Sequence, residues 1–160
     1  MTPVPHAEPL ADLVDFYRHL SPASLAQLPR FYASQARFKD PFNEVQGLPA
    51  IEQIFRHMFR ALEQPRFEIL RTLADEAGAP RQAYITWVFH FRRSGRDFSI
   101  CGVTEFDFDA AGRVSRHRDH WDAAGELYAK LPLIGPPMRW LARQLASPQP
   151  RARAPVTTAD

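Results

Sequence analysis

The sequence has almost no cysteine and no long apolar run, and these absences exclude whole classes of structure. Its single cysteine, Cys101, allows neither an internal disulfide nor a cysteine-rich metal site. No stretch approaches the roughly 18 uninterrupted apolar residues that cross a bilayer, so we expect no transmembrane helix. The first residues lack the apolar core of a signal peptide and carry charges such as Asp12 and Asp15. We therefore expect a cytoplasmic protein for which a membrane is an unlikely partner.

Motifs for metal, phosphate and serine chemistry are also missing. The sequence contains no zinc-binding helix signature, no glycine-rich phosphate loop and no nucleophile elbow. We expect no metal and no cofactor. The formal net charge is only +2, and the part that we expect to fold has no long basic run, so we expect no nucleic-acid partner.

What the chain does have is enough length and apolar content for one closed core. It has 160 residues, of which 45% are hydrophobic and 24% charged, as in an ordinary globular domain. A domain of this size buries roughly 70% of the surface that its unfolded chain exposes. We predict a single domain over residues 1–146 that includes a short C-terminal helical extension. Residues 147–160 are rich in Pro, Arg, Ala and Thr without any pattern, and we predict a disordered tail there.

Apolar spacings of three and four predict three helices in the first part of the chain. The first covers residues 10–20, and Ser21-Pro22 begins a short second helix that Pro29 ends or bends. Gly47 and Pro49 open the third, which we expect Pro65 to stop. Its apolar stripe consists of Ile51, Ile54, Phe55, Met58 and Leu62.

The period then changes to two, which predicts a series of antiparallel strands. We expect a short strand at residues 37–40 and longer ones at 66–73, 82–93, 98–109 and 113–121. Asp122 should cap a brief helix through Lys130, and residues 138–145 should form one more. Helices followed by a meander of strands indicate an α+β domain with its helices on one sheet face.

Two polar residues fall on faces that should be buried, and each allows two interpretations. Tyr17 lies on the apolar face of the first helix, where it is either a core tyrosine bonded to a carbonyl or a functional hydroxyl. Asp40 follows Phe38 on the inward side of its strand. Beneath an apolar roof it would suit acid–base chemistry, whereas beside Pro41 it would cap a turn.

The segment Arg116-His117-Arg118-Asp119-His120-Trp121 is unusually polar for a strand. His117, Asp119 and Trp121 share one face, because side chains alternate along a strand. At a spacing of two, Asp119 would orient the imidazole of His117 as a hydrogen-bonded pair. The alternative is a solvated or dimer-interface strand of alternating charge.

The order and spacing of these elements resemble the nuclear transport factor 2-like superfamily. The similarity is carried by Phe31-Tyr32-Ala33, Phe38-Lys39-Asp40-Pro41, Gly47 and Ile51, followed by four long strands, and covers roughly residues 8–130. It looks closest to the SnoaL-like group, which includes polyketide cyclases and is related to ketosteroid isomerases. The resemblance implies a cone-shaped fold in which three N-terminal helices pack on a curved antiparallel sheet around an apolar pocket. It also implies a homodimer through the outer faces of the sheets.

The resemblance assigns roles to individual residues. In the isomerases an Asp before a Pro moves a proton next to a ketone, and Asp40 matches it. A tyrosine of the first helix donates to the enolate oxygen, and Tyr17 matches that donor. The isomerases' second donor is a protonated Asp, where this chain has the weaker donor Thr104. The cyclases use a His/Asp arrangement instead, a part that His117 and Asp119 would play.

By the same comparison a set of inward-facing side chains would line a small-molecule pocket, namely Tyr32, Phe55, Met58, Trp87, Phe89, Thr104, Phe106 and Trp121. Tyr84, Thr86 and His90 would point outwards. One hypothesis is an enzyme that transfers a proton beside the carbonyl of a small apolar compound. The others are a non-catalytic module that binds such a molecule and a protein-interaction module.

Overall fold

The helices and the long strands follow one another along the chain in the order that the sequence predicts, and the short strand at Glu44–Gln46 was not predicted. The structure is a computed structural model and describes residues 9–75, 80–128 and 135–145. Its helices are α1 (Pro9–Arg18), α2 (Leu28–Phe31), α3 (Leu48–Ala61), α4 (Ala123–Glu126) and α5 (Gly135–Leu145), with a 3₁₀ turn at Ser24–Gln27. Its strands are β1 (Tyr32–Lys39), β2 (Glu44–Gln46), β3 (Glu63–Ala74), β4 (Gln82–Arg93), β5 (Arg96–Phe108) and β6 (Val114–Trp121).

The described strands form one six-stranded sheet in the order β2-β1-β6-β5-β4-β3. The long strands β3 to β6 are the predicted antiparallel meander. Strand β1 pairs with β6 in parallel. The sheet is therefore mixed, whereas the resemblance implied an antiparallel sheet. This pair matters for the site because it sets Phe38 directly beside His117.

Helix α3 begins and packs as its sequence predicts. Gly47 precedes it with a φ of +95°, a left-handed conformation that favours glycine, and Pro49 occupies its first turn. Ile51 and Phe55 are buried against the inner sheet face. Full burial of such a side chain contributes about 1.5–3 kcal/mol, which holds the helix on the sheet.

Two prolines act differently from the prediction. Pro29 lies in the first turn of α2 and does not end that helix, because its missing N–H would have no helical partner there. Pro65 does not stop α3, which ends at Ala61 when Leu62 becomes extended. Pro65 instead lies in β3, an edge strand of the described sheet, where one N–H edge needs no partner.

The C-terminal part of the chain agrees with the prediction as far as the structure describes it. Asp122 caps α4 by accepting a hydrogen bond from the backbone N–H of Gly125 (2.9 Å). The described helix stops at Glu126, and the rest of the segment predicted to reach Lys130 lies partly outside the described residues. The predicted tail, residues 147–160, lies wholly outside them. Of the helices that the structure describes, each is too short or too polar to cross a bilayer.

Candidate active site

His117 lies in the middle of β6 with its side chain on the inner face of the sheet. Only 2% of its surface is exposed. Its ring lies 4.5 Å from the ring of Phe38 and 5.0 Å from that of Phe106. Arg116, an outward residue of the same strand, forms ion pairs with two acids of β5. An imidazole buried among aromatic rings needs partners for both nitrogens.

Asp119 supplies one of these partners. Its Oδ1 lies 2.8 Å from Nε2 of His117, as the spacing of two predicts. An ionised carboxylate only accepts hydrogen bonds, so Nε2 of His117 carries the proton and Nδ1 is the accepting nitrogen. The carboxylate therefore selects one tautomer of the ring.

Two tyrosines bond to the other nitrogen. The hydroxyl of Tyr32 lies 2.6 Å from Nδ1 of His117 and that of Tyr17 lies 3.2 Å from it, and the two hydroxyls also bond to each other. Burial raises the pKa of both tyrosines well above the ordinary value of 10.0, so both keep their protons. The single lone pair of Nδ1 accepts from the nearer hydroxyl, that of Tyr32, and Tyr17 donates to the oxygen of Tyr32. The partners of the Tyr17 hydroxyl are thus side chains rather than a backbone carbonyl.

Thr104 and Trp87 extend the hydrogen-bonded chain on the far side of Asp119. The Thr104 hydroxyl donates to Oδ1 of Asp119 (2.5 Å), and Nε1 of Trp87 donates to Thr104 (2.8 Å). Among the residues that the structure describes, no buried side-chain nitrogen or oxygen lacks a partner. The six residues, which also include Tyr17, Tyr32 and His117, form what we call the inner network.

Asp119 is where the inner network meets solvent. Its side chain is 17% exposed, whereas the other five members are buried. Both hydrogen bonds recorded for its carboxylate use Oδ1. In the described part of the protein Oδ2 therefore accepts no hydrogen bond and can accept a proton or hydrogen bond from a bound molecule.

Asp40 lies level with Asp119 but belongs to a different set of contacts. Lys39 pairs with Arg118, so the next residue along each strand, Asp40 and Asp119, lies at the same end of the sheet. Oδ1 of Asp40 accepts from the backbone N–H groups of Phe42 (2.7 Å) and Asn43 (2.6 Å), and the Asn43 amide reaches both oxygens. The structure thus shows the turn interaction, and the role of Asp40 as a base stays a prediction.

The side chains predicted to line a pocket lie on the inner face and largely contact one another. Those of Tyr32, Phe55, Trp87, Phe89, Thr104 and Phe106 are buried, and those of Met58 and Trp121 are half-buried. The ring of Phe67, which the prediction omitted, lies 4.6 Å from Phe89 and 5.5 Å from Trp87. Its inward position could have been predicted from the alternation along β3.

The more open end of the inner face carries aromatic rings. Trp121 lies two residues beyond Asp119 on the same side of β6, and its ring is 5.4 Å from that of Phe42. Phe42 is exposed and also contacts Tyr128 (6.2 Å between ring centres). The free oxygen of Asp119 is therefore near an apolar, aromatic surface.

Two clefts lie on the described surface, and neither is lined by Asp119. One of about 470 Å³ has Arg37, Lys39, Arg116 and Arg118 in its lining, together with His117. A smaller one, of about 170 Å³, lies beside α1 and the turn between β5 and β6. Within the described residues no three His, Cys, Asp or Glu side chains are grouped as metal ligands.

Comparison with known proteins places this geometry in a family. The family model described as "SnoaL-like domain" matches residues 13–117. No curated protein matches the chain in sequence. Among solved structures, a protein named as a SnoaL-like polyketide cyclase from Jannaschia sp. is similar with a TM-score of 0.64 and 12% identity, over 78% of this chain and 93% of that one.

Two further structures extend the comparison. A hypothetical protein with a ketosteroid isomerase-like fold from Catenulispora acidiphila, in complex with trimethylamine, has a TM-score of 0.62 and 16% identity, over 79% of this chain and 95% of that one. An epoxide hydrolase of the LEH-like type from M. tuberculosis has a TM-score of 0.61 and 17% identity, over 74% and 86%. At such identities these likenesses show the fold, and they confirm the predicted nuclear transport factor 2-like cone.

Proposed function

We propose a function for this chain from the premise that it belongs to the SnoaL-like domain family, as the resemblance in its sequence predicted. A fold of this kind does not by itself determine a reaction, so the reaction is inferred from the side chains of the site. The observation that carries it is the carboxylate of Asp119, which is held through one oxygen by two buried donors while its other oxygen has no partner among the described residues.

The proposed activity is proton transfer at a carbon next to the carbonyl of a small apolar compound. Oδ2 of Asp119 would take the proton, the carbon–hydrogen bond would break, and its electron pair would move onto the carbonyl oxygen as an enolate. The same carboxyl group would then return the proton to a different carbon or protonate the product. General base catalysis of this kind contributes roughly 10²–10⁴-fold to the rate.

His117 and the two tyrosines would support Asp119 from behind. The Nε2–H group of His117 fixes the carboxylate, Tyr32 holds the imidazole by donating to Nδ1, and Tyr17 donates to Tyr32. Tyr17, expected from the resemblance to be the oxyanion donor, has its hydroxyl bonded inside the network. This proposal therefore assigns Tyr17 to holding the ring rather than to contacting the substrate.

The substrate class follows from the surroundings of Asp119. Aromatic side chains, Trp121 and Phe42, lie at the open end and suit a flat apolar molecule. The names polyketide cyclase and epoxide hydrolase carried by two similar structures support an enzyme that acts on small organic compounds. A cytoplasmic location stays a prediction.

The test is α-proton exchange in D₂O with a panel of cyclic ketones, followed by NMR. We expect the wild type to accelerate exchange and Asp119→Asn to abolish the acceleration. Asp97→Asn is the matched control, because Asp97 is a highly exposed residue near the β4–β5 hairpin, where it pairs with Arg92 on the surface. Asp40→Asn tests the prediction from the resemblance: loss of exchange in that variant alone would move the base from Asp119 to Asp40.

The alternative is a non-catalytic module that binds a small apolar molecule. It is favoured by the packing of the inner face, where aromatic rings such as Tyr17 and Phe106 already contact one another (6.0 Å). Under this alternative neither the wild type nor any variant would accelerate exchange. Ligands that raise the melting temperature equally in the wild type and in Asp119→Asn would then identify a binding protein.

We also propose a homodimer through the outer face of the sheet. Leu73 and Tyr84, paired across β3 and β4, are 65% and 39% exposed, and Thr86 and Val103 are paired beside them. Apolar side chains side by side on one sheet face are typical of an interface between subunits.

A further inference from the structure

The direction of the hydrogen bonds around Thr104 is determined by Trp87. An indole N–H is a donor only, so Nε1 of Trp87 must donate to the Thr104 hydroxyl (2.8 Å). Thr104 has one proton, and the acceptor within its reach is Oδ1 of Asp119 (2.5 Å). Trp87 thus leaves Thr104 as a donor to the carboxylate.

This donor has a consequence for the carboxylate. Oδ1 of Asp119 receives hydrogen bonds from Thr104 on β5 and from His117 on its own strand. Rotation of the carboxylate would break both bonds at once, since they end on the same oxygen. The two donors therefore hold Oδ1 at the inner network and leave Oδ2 without a partner among the described residues.

Gly102 makes this arrangement sterically feasible. It is the direct partner of Trp87 across β4 and β5, two residues before Thr104 on the same face. A Cβ at position 102 would lie 2.5 Å from Cζ2 and 2.9 Å from Cζ3 of the indole. The indole therefore lies over the glycine backbone, where its N–H reaches Thr104.

We propose that Trp87 and Thr104 are positioning residues that select Oδ2 of Asp119 as the reactive oxygen of the site. This inference rests on the proposed function of Asp119 as a base. It gives a role to Thr104, which stands where the related isomerases use a carboxylic acid. In this chain the threonine acts on the base and does not contact the substrate.

The test replaces Thr104 in two ways. Thr104→Val keeps the shape and removes the hydroxyl, whereas Thr104→Ser keeps the hydroxyl. Thr72→Val is the matched control, because Thr72 is exposed on the edge strand β3 and belongs to neither the inner network nor the proposed interface. All variants are checked for folding by circular dichroism, and rates are expressed per folded molecule.

Two readouts separate positioning from stability. The first is the NMR signal of the His117 Nε2 proton. It should move downfield in Thr104→Val, because Oδ1 of Asp119 then accepts a hydrogen bond from His117 alone and that bond becomes stronger. The second is ketone α-proton exchange, which should fall on the order of 10–100-fold, since a misplaced catalytic group costs up to about 10²-fold. Thr104→Ser and Thr72→Val should resemble the wild type in both.

The outcomes decide the question separately from the proposed function. A Thr104→Val variant with reduced stability but an unchanged imidazole signal and unchanged exchange would show a purely structural threonine and overturn the inference. Absence of exchange in the wild type would refute the proposed function, while the imidazole signal would still report on the positioning of Asp119. Should Thr104→Val not fold, Trp87→Phe provides the same test. It leaves the Thr104 hydroxyl free to turn away, and an unchanged imidazole signal there would equally overturn the inference.

Discussion

Gly102 provides the sharpest test of how the inner network is built. In the middle of a strand, glycine is normally worse than alanine by roughly 0.5–1 kcal/mol, because it loses more conformational freedom on folding. If space were free, Gly102→Ala would therefore stabilise the protein. The structure predicts the opposite sign, because the new Cβ would lie 2.5 Å from Cζ2 of Trp87.

The size of the effect follows from two costs and one gain. Overpacking a buried site costs about 1–3 kcal/mol. Displacing the indole also weakens its hydrogen bond to Thr104, which lowers the stability by about another 1 kcal/mol. Against the gain from replacing glycine, we expect Gly102→Ala to lower the free energy of unfolding by about 1–3 kcal/mol. For a chain of this size that corresponds to a fall of roughly 3–10 °C in melting temperature.

Urea unfolding followed by far-ultraviolet circular dichroism measures this change, provided that the denaturant slope stays constant. A double-mutant cycle with Trp87→Phe isolates the steric contact, because a smaller ring should tolerate the added methyl group. We expect a favourable coupling of at least about 1 kcal/mol between the two substitutions. A stabilised Gly102→Ala variant, or a coupling near zero, would refute the packing of Trp87 on Gly102.

Three further predictions concern tyrosines. Because the pKa values of Tyr17 and Tyr32 are raised in the folded state by burial, the folded protein holds protons that the unfolded chain loses, so stability falls as the pH rises above 10.0. The expected slope of unfolding free energy is about 2.7 kcal/mol per pH unit for the two together, whereas a flat alkaline profile would contradict their burial. Tyr32→Phe should lower the free energy of unfolding by about 1–2 kcal/mol at neutral pH, because it removes a donor to His117. The same variant should halve the alkaline slope. A variant as stable as the wild type would argue against the hydrogen bond. Tyr84→Glu should convert a dimer to a monomer, as measured by size-exclusion chromatography with light scattering. Gln53→Glu, on the exposed side of α3, is the control. A monomeric wild type would refute the dimer.

Which side of the sheet a residue occupies was largely predictable from the sequence. Alternation along β6 correctly put His117, Asp119 and Trp121 on one face, and the family resemblance correctly put Trp87 inwards and Tyr84 outwards. The physical reason is local: successive side chains of a strand point to opposite faces, and α1 and α3 pack against one face of this sheet. The bond between His117 and Asp119 followed from the same rule.

The partners that these residues find across the fold depended on tertiary structure. Tyr32 and Phe38 reach His117 because β1 joins β6 in parallel, although about 80 residues separate the two strands in the chain. Tyr17 reaches the same nitrogen of His117 because α1 packs over the sheet. Strand order and helix packing depend on non-local contacts, which no local period encodes.

Asp40 and Thr104 show where the sequence by itself was insufficient. The sequence of Asp40-Pro41 was compatible with both a base and a turn cap, and the choice depended on whether nearby backbone donors could reach its carboxylate, as those of Phe42 and Asn43 do. Thr104 looked like a weak donor to a substrate until its neighbours Trp87 and Asp119 were known. Residue type and strand face are properties of the local sequence. Which group donates and which accepts in a buried hydrogen bond depends on the side chains that the folded chain brings together.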